Sequence, residues 1–183
     1  FKSEPIPKWV GLFGDQPVDE VMAITSRLRL DAVQLCGSEG MGYCAQMMVP
    51  VFKVITIDGN VPGSVTLPRL MVLLQRHSLA GHHLVLDAHV EGEYGGTGER
   101  FPWDLIHGLS RSFQFSLAGG LTDRNVSEAI RAVRPWGVDT SSGVETDARK
   151  DAIKIRAFVR TVRDTDLRLK PKGLSALFRR SKT

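Results

Sequence analysis

The sequence predicts an α/β fold of the (β/α)8 TIM-barrel type, and three observations carry that reading. Apolar runs of strand length alternate with amphipathic helical patterns along the chain. The runs are β-branched or aromatic in part and do not alternate cleanly, as parallel strands covered on both faces should read. The residues suited to chemistry follow several different runs, whereas an open doubly wound sheet gathers them at one switch point. Six strand–helix units are recognisable. A closed barrel has eight, so the expectation is a barrel with six of its eight units present. An open doubly wound sheet of six strands is the alternative on topology alone.

The strand-length runs are 8–14, 31–36, 51–57, 84–89, 113–118 and 136–140. Between the first two, Val18, Val21, Met22, Ile24 and Leu28 recur near helical spacing after Pro17, which suits a first helical turn. Cys44 falls in a second helical stretch and is expected to pack. Leu67, Leu70, Met71 and Leu74 indicate a third helix, and the Phe101–Trp103 pair predicts a helix start beyond the fourth run. Val126, Ala129, Ile130 and Val133 follow Thr122, a predicted N-cap, and Pro135 ends that helix. Ile153, Ile155, Phe158, Val159 and Val162 mark a final amphipathic helix. Residues 1–163 read as a partial barrel and 164–183 as a basic C-terminal extension.

At 183 residues the chain is long enough for one domain with a sizeable core. No apolar run approaches the roughly 20 residues of a membrane span, and no secretory leader opens the chain. Cys36 and Cys44 form neither a disulfide framework nor a zinc spacing, so a reducing, cytoplasmic setting is expected. His82, His83, His89 and His107 show no metal-ligand spacing; surface or loop positions are expected, and no metal site. The net charge of +4 is carried by the segment from Arg163 to Thr183, with seven basic and two acidic residues. The body lacks a basic, aromatic-interleaved face, which argues against a nucleic-acid partner. Leu174, Leu177 and Phe178 in the basic extension suit a short docking helix, but a frayed terminus is the expectation.

Three junctions carry the chemistry. The run ending LVLD delivers one carboxylate, Asp87, ahead of a loop holding Gly95, Gly96, Thr97 and Gly98. Barrel enzymes present catalytic groups at such strand ends. The junction SLAGGL places Gly119 and Gly120 where bare backbone can approach a phosphate. The junction VDTSSGV offers Ser141, Ser142 and Gly143, with Asp139 two residues before Ser141. Asp139 suits a ribose hydroxyl, or is an ordinary buried, hydrogen-bonded Asp. Lys53 lies inside a strand run and reads as a salt-bridged core lysine.

The segments DAVQLCGSE (31–39), LVLDAHVEGEYGGTGERFPW (84–103), LAGGLTDRNVSEAI (117–130) and GVDTSSGVETDARKDAIKIRAF (137–158) resemble phosphoribosylanthranilate isomerase of tryptophan biosynthesis. The likeness covers nearly the whole chain up to about Arg163. It implies an Amadori rearrangement of N-(5-phosphoribosyl)anthranilate to the carboxyphenylamino-deoxyribulose phosphate, with a small phosphoribosyl substrate and no metal or organic cofactor. It also implies that Asp87 is the general acid, that the two later junctions bind phosphate, and that the Gly95–Gly96 loop wraps the substrate. An acid working near neutral pH must keep its proton, which apolar surroundings favour.

The resemblance aligns this sequence with the family's third to eighth strands. The first-strand Lys-x-Cys-Gly motif, whose cysteine is the family's general base, has no counterpart here, and neither does the arginine loop after the second strand. Gln34 and Cys36 share a strand face; Cys36 stands where the family usually has His, and Pro102 where it typically has an acid. A substitute thiolate base at Cys36 is the sharper idea; a small tolerated replacement is the expectation, since no cation is evident to lower the thiol pKa. Phe1 in place of an initial Met reads as the interior of a longer protein. Six strands do not satisfy eight-strand barrel geometry, so the chain alone is expected to have negligible isomerase activity, to self-associate, or to need its missing quarter. A non-catalytic phosphate-binding or interaction protein from the same barrel is the second hypothesis. Another phosphate-handling barrel, such as a histidine-pathway isomerase or indole-glycerol-phosphate synthase, is the third.

Overall fold

The structure, a computed structural model, describes residues 7–58, 63–88 and 103–169. All six strand runs are strands: β1 (Val10–Phe13), β2 (Ala32–Leu35), β3 (Val51–Ile57), β4 (His83–Ala88), β5 (Phe115–Leu117) and β6 (Gly137–Val138). They form one parallel sheet in the order β1-β2-β3-β4-β5-β6. That order decides between the two topologies. A doubly wound sheet reverses direction at a switch point, whereas here each strand is added beside its predecessor. Right-handed crossovers repeated in one direction put every helix on one face of the sheet, which is the arc of a (β/α) barrel. Among the described residues β1 and β6 each pair on one side only.

Helices α1 (Val18–Leu28), α2 (Met41–Cys44), α3 (Gly63–Leu79), α4 (Val126–Val133) and α5 (Ala152–Leu169) complete the main layers. A small antiparallel hairpin, β7 (Glu145–Thr146) with β8 (Arg149–Lys150), follows the last sheet strand. The outward face of the sheet packs on the helices. Ile55, Ile57, Leu84, Leu86, Phe115 and Leu117 meet Leu70 and Leu74 of α3 and Ala129, Ile130 and Val133 of α4. Phe13, Val33, Leu35 and Val51 meet Val21 of α1 and Cys44 of α2 in a second cluster. Each fully buried Leu or Phe contributes roughly 1.5–3 kcal/mol by leaving water. The inward face carries a smaller cluster of Val54, Val85 and Ala118, with Cys36 and Phe52 packed against it.

Local chemistry explains the element ends and a few departures. α1 starts behind Pro17 and ends at Arg29, which adopts the left-handed conformation and donates its N–H to Ser26 and Thr25. α4 ends the same way at Arg134, with Pro135 behind it. Its N-cap is Asn125, not Thr122: the Thr122 carbonyl accepts from the amides of Asn125 and Val126, so the chain turns once more before the helix. The segment opened by Trp103 forms two 3-10 turns, Trp103–Ile106 and Leu109–Arg111, in place of an α-helix; the left-handed Gly108 separates them. Within the expected apolar stripe of α5, Phe158 is buried but Ile153 is exposed. That helix passes position 163 without a break, and buried Thr165 bonds Ser127 of α4 at 2.9 Å. The segment 170–183 lies outside the described residues. No helix among the described residues is long and apolar enough to cross a membrane.

Candidate active site

Parallel strands that share one direction bring all their C-terminal ends to one rim. Side chains alternate along β4, so His83, Val85 and Asp87 share the inward face. Asp87 stands at the rim, opposite Thr56 in the register with β3, and is half-buried. On the same inward face Val85 precedes it on β4 and joins Val54 and Ala118 of the neighbouring strands in an apolar floor. Asp87 is close enough to Cys36 for its charge to act on the thiol. The inward-facing pair Gln34 and Cys36 is joined by the Gln34 amide, which donates to Cys36 Sγ at 3.7 Å. Burial pushes the Cys36 thiol up, the Gln34 hydrogen bond only partly offsets this, and the charges of Glu39 and Asp87 add to the rise. The Lys53 charge acts the other way, but the net direction is upward, which argues against a thiolate at Cys36 near neutral pH.

The two glycine junctions meet at the next two strand ends. Gly119 and Gly120 both have positive φ, 83° and 60°, a conformation open to glycine and costly to most other residues. Asn125 braces this turn from both directions: its Nδ2 donates to the Gly120 carbonyl at 2.9 Å, and its Oδ1 accepts from the Thr122 amide at 2.8 Å. Thr140 Oγ1 donates to the Leu121 carbonyl at 2.6 Å, tying the β5 loop to the β6 loop. Gly143 fits against the same carbonyl so closely that a Cβ would lie 1.8 Å from Leu121 O. The two loops therefore form one unit, with Ser142 and Gly143 in a 3-10 turn, Ser142–Val144.

Asp139 donates its backbone N–H to Leu117 at 2.9 Å and leaves its side chain exposed, so it is not a buried structural Asp. Ser141 is held by Lys150 of β8, whose Nζ donates to the Ser141 hydroxyl and carbonyl, each at 3.0 Å, and to Glu145 Oε1 at 2.5 Å. Sequence reasoning missed Lys150. Nothing in its local pattern marks it; the β7–β8 hairpin carries it back to the rim. Asn125 and Thr140 were also missed, though an Asn three residues beyond Thr122 is the sort of side chain that braces turns. Gly95 and Gly96, together with His89 and Pro102, lie outside the described residues.

The other titratable groups sort differently from expectation. His83 is not a surface residue: its ring packs on Phe52 and Trp136 with centroids at 4.6 and 4.8 Å, and its Nε2 bonds Ser116 Oγ at 3.0 Å. His107 bonds the Ala132 carbonyl at 2.8 Å near the surface, as expected. His82 does have potential co-ligands, because Cys44 and His77 converge on it in space from other elements. Lys53 is the salt-bridged core lysine anticipated, pointing to the helix side with its Nζ 2.7 Å from Glu39 Oε2. Two surface depressions, of about 330 Å³ beside Ile155 and Val159 and about 470 Å³ beside Met22 and Met47, touch none of the rim residues.

Comparison with known proteins places this geometry. The family model for N-(5′phosphoribosyl)anthranilate (PRA) isomerase matches residues 2–161. The chain belongs to this isomerase family. The N-(5′-phosphoribosyl)anthranilate isomerase of Dehalococcoides mccartyi is 38% identical over 162 residues, 88% of this chain and 74% of that protein. The crystal structure of phosphoribosyl anthranilate isomerase from Thermotoga maritima superposes with a TM-score of 0.73 at 29% identity, over 88% of this chain and 75% of that one. A further isomerase structure, in complex with reduced 1-(o-carboxyphenylamino)-1-deoxyribulose 5-phosphate, gives a TM-score of 0.68 at 28% identity over 89% and 75%. The barrel-type fold, the isomerase class and the place in tryptophan biosynthesis expected from the sequence motifs agree with these matches.

Proposed function

We propose that this chain carries the PRA isomerase reaction on a phosphoribosyl substrate, with Asp87 as general acid. The observation that carries the proposal is spatial: Asp87, Gly119–Gly120 and the Asp139–Gly143 loop lie at the same rim of successive strands. Asp87 protonates the furanose ring oxygen, and the ring opens to a Schiff base. A general base then takes the C2′ proton, the role the family gives to the cysteine of its first-strand Lys-x-Cys-Gly motif, and the resulting enolamine tautomerises to the ketone. The apolar floor keeps water from the strand side of the acid.

The phosphate sits in the unit formed by the two glycine junctions. Gly119 and Gly120 present backbone, Ser141 and Ser142 present hydroxyls, and Gly143 lets the loops touch. Lys150 adds a cation at its edge. Asp139 holds a ribose hydroxyl, and Gln34 lines the wall beside Cys36. The related isomerase structure in complex with reduced 1-(o-carboxyphenylamino)-1-deoxyribulose 5-phosphate supports a small phosphoribosyl-type substrate.

Replacing Asp87 with Asn tests the acid. It keeps shape and removes the transferable proton, so kcat should fall by about 10²–10⁴-fold, with KM little changed. Turnover is followed by the fluorescence of the anthranilate substrate, with a fragment carrying the family's first two strand–helix units supplied in trans. An unaltered kcat in a folded Asp87→Asn protein would remove Asp87 from the role.

A further inference from the structure

Cys44, His77 and His82 lie far apart in sequence and together in space. Cys44 ends α2, His77 lies in the last turns of α3, and His82 immediately precedes β4. One ligand atom from each falls within 4.8 Å of the other two, the one such group found among the described residues. His77 Nδ1 and His82 Nδ1 are 2.9 Å apart, and Cys44 and His77 are buried. His82 is half-buried and leaves one side of the group open. From this geometry we infer a zinc site, with Cys44 Sγ and one nitrogen each of His77 and His82 as ligands and water in the fourth position.

The chemistry of the three donors fits. One thiolate and two imidazoles, closed by water, form a standard tetrahedral environment for Zn²⁺. Such a centre needs ligand nitrogens roughly 3.3 Å apart and sulfur roughly 3.6 Å from each nitrogen, so the group closes by small side-chain rotations. The Nδ1···Nδ1 hydrogen bond between His77 and His82 has one ring offering its lone pair to the other's proton, and a metal ion would take the place of that shared proton. The Cys44 thiol is pushed up by burial, and coordination would supply the charge that deprotonates it. Nearby Lys53 already has Glu39 as its counter-ion, so it does not leave a bare positive charge against the metal.

The site lies at the opposite end of β4 from Asp87, since His82 precedes the strand and Asp87 lies near its end. Zinc there would link α2, α3 and the entry to β4 and keep one water-filled position, at a place separate from the isomerase rim. The test uses the 183-residue chain stripped with a chelator and titrated with ZnCl₂, then with CoCl₂ as a spectroscopic substitute. One equivalent of Zn²⁺ should remain bound in excess Mg²⁺. Co²⁺ should give a thiolate charge-transfer band in the near ultraviolet and intense tetrahedral bands in the visible. Zinc at a hundredfold excess over Kd should raise the melting temperature by about 5–10 °C. Cys44→Ser and His82→Ala should each abolish the charge-transfer band or weaken zinc binding at least tenfold, and Cys36→Ser should change neither. His82→Ala is the safer variant for folding because His82 is only half-buried. Failure to retain zinc, or retention unchanged in folded His82→Ala and Cys44→Ser proteins, overturns the proposal.

Discussion

Lys53 Nζ donates to Glu39 Oε2 at 2.7 Å, and both side chains are buried on the helix side of the sheet. The same ammonium donates to the carbonyls of Gly37 at 2.6 Å and Leu35 at 3.2 Å. The other Glu39 oxygen accepts the Asp15 amide at 2.8 Å. One ion pair therefore fastens the loops that follow β1 and β2 to the middle of β3. Removing one partner leaves a buried charge uncompensated, at a cost of about 3–5 kcal/mol. Lys53→Met should show that loss in urea unfolding. Lys53→Met combined with Glu39→Leu should recover part of it, because the second change removes the stranded carboxylate. A double-variant loss equal to the sum of the Lys53→Met and Glu39→Leu single losses would show that the pair is not coupled.

Gly143 is needed for space and not for its backbone angle, since its φ is not among the positive ones. Gly143→Ala places a methyl against the Leu121 carbonyl, and backbone cannot swing aside as a long side chain can. The β5 and β6 loops must separate. The expected result is a stability loss of about 1–3 kcal/mol and a raised KM, with the larger relative effect on KM. An unchanged KM would mean the two loops do not bind substrate as a unit.

Lys150 provides a more selective probe of the same cup. Its Nζ holds Ser141 and faces the rim, but it lies well away from the acid in the strand order. Lys150→Met should raise KM about five- to tenfold, on the order of 1 kcal/mol, because solvent screens an exposed cation. Substrate and transition state carry the same phosphate, so kcat should stay near that of the parent. A drop in kcat with constant KM would place Lys150 in the chemistry instead.

What the sequence showed well was whatever local pattern controls. Each of the six apolar runs is a strand, because a run covered on both faces has few other ways to bury itself. The glycine pair was legible because only a demand for positive φ or close approach explains two glycines at a strand end. Features set by distant contacts were not legible. Lys150 reaches the rim through a hairpin, His83 is half-covered by Phe52 and Trp136 from other elements, and His77 meets His82 and Cys44 only when three segments pack. The segment after Trp103 carries helical residues but winds into 3-10 turns around left-handed Gly108, a backbone choice that apolar spacing does not encode.

Cys36 provides a pH test. Burial raises its thiol pKa above the ordinary value, so the thiolate is scarce at pH 7–8 and becomes abundant only at higher pH than for a free cysteine. Alkylation of Cys36 by iodoacetamide, followed on its peptide by mass spectrometry, should accelerate with pH and keep rising beyond the point where a model thiol levels off. Cys36→Ala should not show the roughly 10²–10⁴-fold loss of kcat that removal of a general base causes. Fast alkylation at pH 7 together with such a loss would restore the thiolate-base idea.

The β7–β8 hairpin turns through Asp147 and Ala148, with φ of 50° and 57°. Two consecutive left-handed residues match the type I′ turn, whose twist suits a two-residue hairpin and whose second position favours glycine. Asp tolerates the left-handed region through its short polar side chain, but Ala has a Cβ crowded against the carbonyl and no compensating hydrogen bond. Ala148 therefore holds strain of roughly 1–2 kcal/mol. Ala148→Gly removes the Cβ and also makes the unfolded chain more flexible, which returns part of the gain. The net expectation is a gain of about 0.5–1 kcal/mol, seen as a higher urea midpoint at constant m. The hairpin carries Lys150 to Ser141, so KM should hold or improve. A lower midpoint would show that the turn does not keep Ala148 left-handed in solution.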